Sequence, residues 1–463
     1  MKFKFSDLWR LSGTVDRGAY AAVGFLGFAI KHNLDRLLAY YAFGRPWNLL
    51  DYWIPLRKAT RIISLQPVDA TFLATMVLLA LPFIWIGTVM TVKRLRSASL
   101  PTQLVFLFFI PYLNLLFLLL LCVVPARDPA ATASQAGASF LERVVPKSAL
   151  GSAAMAVVIT LPFGIASVYL LTEVFAGYGS GLFLALPFTM GLVAALIYGV
   201  HEPRTAMGCI RVACLSVALL GLALLAVAAE GVICLIMAAP VAMAFAAFGA
   251  VVGHSVRWQR WHRRANPAVL SALIFLAPSV QWIEHAIFPV PPVYEVQTSI
   301  DIQAPPEAVW KQVIAFSQIP PPREWMFRAG IAYPIRAEIE GKGQGAERRC
   351  VFSTGTFVEP IQVWDEPRLL KFSVTSNPAP LEEWTPYHHI EPPHLHGYLV
   401  SNGGQFLLTP LPGGGTRVEG TTWYRHSLWP APYWRLWSDA IIHKIHWRVL
   451  SHIREEAEKR ASG

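Results

Sequence analysis

Through residue 288 the chain runs in long apolar stretches with short polar breaks; beyond residue 293, apolar and polar positions alternate by twos. A bilayer core of about 30 Å takes about 20 residues of helix. Eight stretches suit that length: about 18–41, 70–92, 101–124, 148–175, 181–200, 206–228, 231–254 and 268–288. The first is the weakest, because Lys31, Asp35 and Arg36 interrupt it. Prolines and glycines inside the others are tolerated by membrane helices. So many long runs exclude a soluble protein with buried core helices.

The pattern changes at "FPVPPVYEVQ", where Pro289, Pro291 and Pro292 make a short stiff connection. "YEVQTSIDIQ" then reads as a strand and "APPEAVWKQVIAF" as a helix with Pro306 near its start. About six further strands are expected, in "GIAYPIRAEIEG", "GAERRCVFSTG", "TFVEPIQVWDEP", "LLKFSVTS", "GYLVSNGGQFLLTPL" and "TRVEGTTWYRH". A final helix, about 432–459, carries Ile441, Ile445, Val449 and Ile453 on one face. An antiparallel sheet wrapped on one long helix leaves room for a cavity between them.

Composition narrows the classes. The chain of 463 residues is 54% hydrophobic and 15% charged, with mean hydropathy +0.43. That is a multi-pass membrane protein with an appended soluble part. The start "MKFKFSDLWRLSG" does not read as a cleavable signal peptide. The net charge of +10 does not indicate nucleic-acid binding, because much of the excess flanks the apolar runs. Four of the five cysteines lie in apolar runs, so the set reads as small buried hydrophobes, not a disulfide or zinc framework. Glu230 at a turn and the Glu284–His285 pair near the end of the last span are thin support for a transport path. Counting basic residues in the loops of eight spans places both termini outside, although one miscounted span reverses the answer for the C-terminal part.

The stretch "TPYHHIEPPHLHG" holds four of the thirteen histidines, His388, His389, His394 and His396, around Glu391. It belongs to a connection, Asn377 to Leu395, that is long for a link between strands. The reading favoured is a rim over an apolar cavity. Candidate ligand-binding residues are Trp384, Tyr387, His388, His394, His396 and Arg348. Arg348 and Arg349 alternate on their strand, so one at most points inward. A metal set would need His394, His396, one earlier histidine and Glu391 or Glu383 to converge. Pro392 and Pro393 stiffen the piece against that, so no metal and no cofactor are expected. A structural loop packed on the membrane surface is the third reading. Acid–base catalysis by one of these histidines, oriented by Glu382, Glu383 or Glu391, is the enzymatic alternative. The four tryptophans of "WYRHSLWPAPYWRLWSD" suit cavity walls or a membrane interface.

Two resemblances follow from particular residues. "VQTSIDIQAPPEAVW" at 296–310, the strand pair "FVEPIQVWDEPRLLKF" at 357–372 and the terminal helix resemble the START-like, helix-grip (SRPBCC) superfamily, in its polyketide cyclase and lipid-transport branch. This implies an α+β helix-grip domain that binds an apolar small molecule, and it carries over no catalytic residue. "SGTVDRGAYAAVGF" and the "KRLRSASLP" turn resemble the YhaH-like bacterial inner-membrane proteins over residues 8–127. That implies a bacterial inner membrane and an N-terminus inside. The expected division is 1–127, a YhaH-like membrane region; 128–288, further membrane helices; and 289–463, the START-like domain. The expected partners are the bilayer and a lipid-like or other apolar molecule. A membrane sensor or scaffold is the remaining alternative.

Overall fold

The computed structural model describes residues 8–53, 70–100, 102–109, 113–126, 142, 144–175, 177–258, 267–287, 290–387, 390 and 392–461. The apolar runs become helices: α1 (Arg17–Phe43), α2 (Ala70–Ser97), α3 (Leu113–Val123), α4 (Ala149–Tyr169), α5 (Leu186–Tyr198), α6 (Ala206–Ala226), α7 (Val232–Trp258) and α8 (Pro267–Ile287). Among the described residues, five stretches are long and apolar enough to cross a membrane: Ala74–Ser97, Ala149–Thr172, Gly181–Tyr198, Ala206–Ala226 and Val232–Val256. The run 101–124, expected as one span, is divided. A 3-10 stretch, Thr102–Phe109, precedes α3, and residues 110–112 lie outside the described residues.

Local chemistry starts and joins these helices. Ser148 accepts from the Gly151 N–H at 3.2 Å, and Thr205 accepts from the Gly208 N–H at 3.1 Å. Each takes up a donor that the first helical turn leaves free. The acid that interrupts α1 is accommodated locally: Asp35 is buried against Lys31 and the Tyr52 hydroxyl. α5 and α7 pack almost backbone to backbone. A Cβ on Gly191 would stand 2.0 Å from the Ala246 carbonyl oxygen. Small residues permit the close approach on which membrane helices depend.

The alternating segments become β1 (Tyr294–Ile302), β2 (Pro334–Glu340), β3 (Glu347–Phe352), β4 (Gly355–Asp365), β5 (Leu369–Ser373), β6 (Leu399–Pro410) and β7 (Thr416–His426). They form one curled antiparallel sheet in the order β1-β7-β6-β5-β4-β3-β2. β1 shows why the alternation was legible: Val296, Thr298, Ile300 and Ile302 are buried, and the residues between them are exposed. Two short helices, α9 (Pro306–Ile314) and α10 (Trp325–Arg328), follow β1. The last helix, α11 (Ala431–Ala461), lies in the grip of the sheet. Its Val449, Leu450 and Ile453 meet Trp310, Leu370 and Val418 in the core. The chain is therefore a helical membrane part joined to an α+β helix-grip domain.

Candidate functional site

The two parts meet where α6 turns into α7. The first amides of α7 are taken by the other part of the chain. Val232 N–H donates to the Trp384 carbonyl at 2.9 Å. Ile233 and Cys234 N–H donate to the two carboxylate oxygens of Glu383 at 3.0 and 3.1 Å. A carboxylate suits the positive end of a helix. Gly231 makes the approach possible, since a Cβ there would stand 2.2 Å from Glu383 Oε2. The Tyr387 hydroxyl donates to the Ala226 carbonyl, and the Tyr433 hydroxyl to that of Met237. Trp429 N–H donates to the Tyr178 carbonyl at 3.0 Å. Leu381 and Leu395 pack with Ile233, Phe327 and Ile331.

Between these contacts lies an outer hollow of about 600 Å³. One wall is membrane helix: Leu182 and Leu186, Val217 and Leu224, Leu235 and Ala239. The other is grip domain: Phe352, Phe357, Pro378, Leu399, Trp434, Trp437 and Ile445. The walls are apolar apart from a few groups. Three of these lie together: Glu230, Cys234 and His394, with ligating atoms all within 4.8 Å of one another. His394 sits in the 3-10 turn Pro393–Leu395. Its Nε2 is 2.9 Å from Cys234 Sγ, and its Nδ1 is 3.6 Å from Glu230 Oε2. The Tyr178 hydroxyl donates to Glu230 Oε1 at 2.9 Å, and its ring lies 4.8 Å from that of His394. Burial lowers the His394 pKa to about 4, against the pull of Glu383. Burial raises the Glu383 carboxyl although three hydrogen bonds oppose it.

An inner hollow of about 110 Å³ lies within the grip domain. Arg348 and Glu359 form an ion pair there, both nearly inaccessible. The guanidinium stands 5.5–5.6 Å from the rings of Phe316, Phe372 and Phe406. Burial pushes the Glu359 carboxyl up, with Arg348 opposing. His446 shares this hollow, between Thr298 Oγ1 at 3.0 Å and Thr422 Oγ1 at 2.8 Å.

The residues expected to bind ligand are thus dispersed. His394 lines the outer hollow and Arg348 the inner one. Tyr387 is spent on the junction, while Trp384 and His396 are exposed. His388, His389 and Glu391 lie outside the described residues. As alternation requires, Arg348 points inward and Arg349 outward, toward Glu347 and Glu340. Sequence reasoning missed Cys234, taken as a small hydrophobe, and Tyr178. One signal was present: Glu230 is an acid in an otherwise apolar turn, only four positions before Cys234.

No family model matches the chain, and no curated protein matches it. Among solved structures, the Zhui aromatase/cyclase from Streptomyces sp. R1128 is similar at 16% identity. That match covers 37% of this chain and 99% of that one, with a TM-score of 0.26. A norcoclaurine synthase of Thalictrum flavum matches at 10% identity over 37% of this chain and 98% of that one, with a TM-score of 0.25. The di-domain aromatase/cyclase StfQ from the steffimycin pathway matches at 11% over 43% of this chain and 62% of that one, with a TM-score of 0.26. At these identities and scores the matches say nothing of what this chain binds or does. The fold rests on the sheet order and α11. Nothing in the comparisons supports the YhaH-like reading of residues 8–127.

Proposed function

We propose that this is a multi-pass membrane protein whose START-like helix-grip domain holds a lipid-like or other apolar molecule against its own membrane helices. The observation that carries the reading is the outer hollow, which has the size and apolar lining of a small-molecule site and is built from both parts of the chain. Its helical wall consists of segments long and apolar enough to lie in a bilayer, so an apolar guest reaches it without crossing water. The division that fits is 1–127 and 128–288 for the membrane part and 289–463 for the grip domain, in a bacterial inner membrane. Of the described loop histidines, only His394 lines the hollow, so an acid–base enzyme acting on an apolar substrate would have to use it. That is the second reading.

The test uses the full chain in detergent, titrated with a fluorescent fatty acid. Ala239 lines the helical wall, and Ala239→Phe fills space there. The expected result is saturable binding that weakens at least tenfold in the variant, at a cost of about 1–3 kcal/mol of overpacking strain. Equal binding by both proteins, or none by the native chain, would overturn the proposal.

A further inference from the structure

We infer that Glu230, Cys234 and His394 form a binding site for a transition-metal ion of the zinc class in the wall of the outer hollow. The inference stands apart from the identity of any apolar guest.

The three side chains reach one point from two distant parts of the chain. Glu230 lies in the turn before α7, Cys234 in the first turn of α7, and His394 in the loop before β6. A carboxylate, a thiol and an imidazole are the ligand types zinc takes, and the thiol disfavours magnesium or calcium. Zinc bonds of about 2.0–2.3 Å set the ligands of a tetrahedral ion about 3.5 Å apart. The His394 Nδ1 to Glu230 Oε2 separation of 3.6 Å meets that spacing. Cys234 Sγ sits beside the other ring nitrogen, Nε2, at 2.9 Å, so it must swing to the Nδ1 side of the ring to share the ion, within a cluster whose ligating atoms already lie within 4.8 Å of one another. His394 is 8% exposed, and its Nδ1 is buried with no hydrogen-bond partner. An orphaned buried ring nitrogen is costly, and a metal ion satisfies it.

The surroundings are those of a metal centre. The Tyr178 hydroxyl holds Glu230 Oε1, so Oε2 is the oxygen presented to His394. Fixing a ligating carboxylate from behind is the usual task of a second layer of groups. All three ligands line the hollow, so a fourth position on the ion faces it and can exchange. The same side chains can be read as a thiol–imidazole–carboxylate relay for nucleophilic attack. A reactive thiolate is favoured by a free helix N-terminus. Here Glu383 occupies the first amides of α7, including that of Cys234 itself. A second carboxylate beside the sulfur opposes a thiolate alone, whereas a divalent cation is stabilised by it.

The full chain in detergent, stripped with chelator and dialysed against zinc chloride, is expected to retain about one zinc per chain by mass spectrometry. Cys234→Ser and His394→Gln should each lower retained zinc at least tenfold. Cys214→Ser, on α6 and outside the cluster, should leave it unchanged. Tyr178→Phe should weaken binding by about 10–100-fold. In the native chain, cobalt(II) should give near-ultraviolet thiolate-to-metal absorption. Three results would each overturn the site without relying on any variant to fold. They are no retained zinc, cobalt bound without the thiolate band, or alkylation of Cys234 at one rate with and without zinc. The last would favour the relay.

Discussion

The inner and outer hollows both touch α11 and share Ile442 and Ile445 in their walls, yet they are built oppositely. The inner one, about 110 Å³, is lined by the grip domain alone, with a buried ion pair and three aromatic rings in its wall. The outer one, about 600 Å³, is several times larger, mostly apolar, and completed by helices from the other part of the chain. The difference teaches that the larger empty space is not the one a sheet gripping a helix would leave between them. Arg348 and Glu359 occupy that interior. The room is at the junction instead.

The sharpest way to break this contrast is to empty the inner hollow. Arg348→Met leaves Glu359 buried without its partner, and a loss of about 3–5 kcal/mol is expected in thermal unfolding of the full chain. Replacing both, as Arg348→Met with Glu359→Leu, should recover most of the loss. If the single variant unfolds like the native chain, the Arg348–Glu359 pair is not the buried, mutually dependent pair described.

Loosening the outer hollow should cost less. Glu383→Ala removes the acceptor for two α7 amides, worth about 0.5–2 kcal/mol as a helix cap. Hydrogen exchange should quicken at Ile233 and Cys234 and stay unchanged in β1. Faster exchange in β1 as well would mean that the junction and the grip domain open as one unit.

The last effect is absent at neutral pH and appears only on acidification. His446 has its pKa lowered to about 4 by burial first, and by His443 beside it. Below about pH 6.5 the unfolded chain binds a proton that the folded chain refuses, so stability falls as pH drops from about 6.5 toward about 4. His446→Gln sets its own midpoint at pH 7.5, since it also alters the two threonine contacts, but from pH 7.5 to pH 5 the midpoint of the native chain should fall further than that of the variant. Parallel loss in both would assign the acid sensitivity elsewhere.

Much of the fold was legible because its signals are local. Alternation in β1 and the proline break at 289–292 need only neighbouring residues to be read. The helical run of 101–124 was misjudged because hydropathy alone does not tell a continuous helix from a 3-10 stretch followed by a short α-helix. The site was less legible for the opposite reason. Cys234 and His394 are 160 positions apart, and nothing in either neighbourhood announces the other. The histidine loop drew attention by its density. The residue that ties it down, Glu383, precedes the histidines and is distinguished by the helix end it meets. Alternation allowed only one of Arg348 and Arg349 to point inward without saying which, and the partner Glu359 lies on the next strand, where only pairing register reveals it.

The dock between Glu383 and α7 also fixes which helix ends lie beside the grip domain. The grip domain touches Tyr178 before α5 and the turn before α7, so both turns share its side. Neither turn carries a lysine or arginine, whereas, among the described residues, Lys147, Arg204 and Arg257 stand at the opposite helix ends. Within this half of the chain the helices are therefore asymmetric along their length: the ends that meet the grip domain and frame the outer hollow are the ends without basic residues.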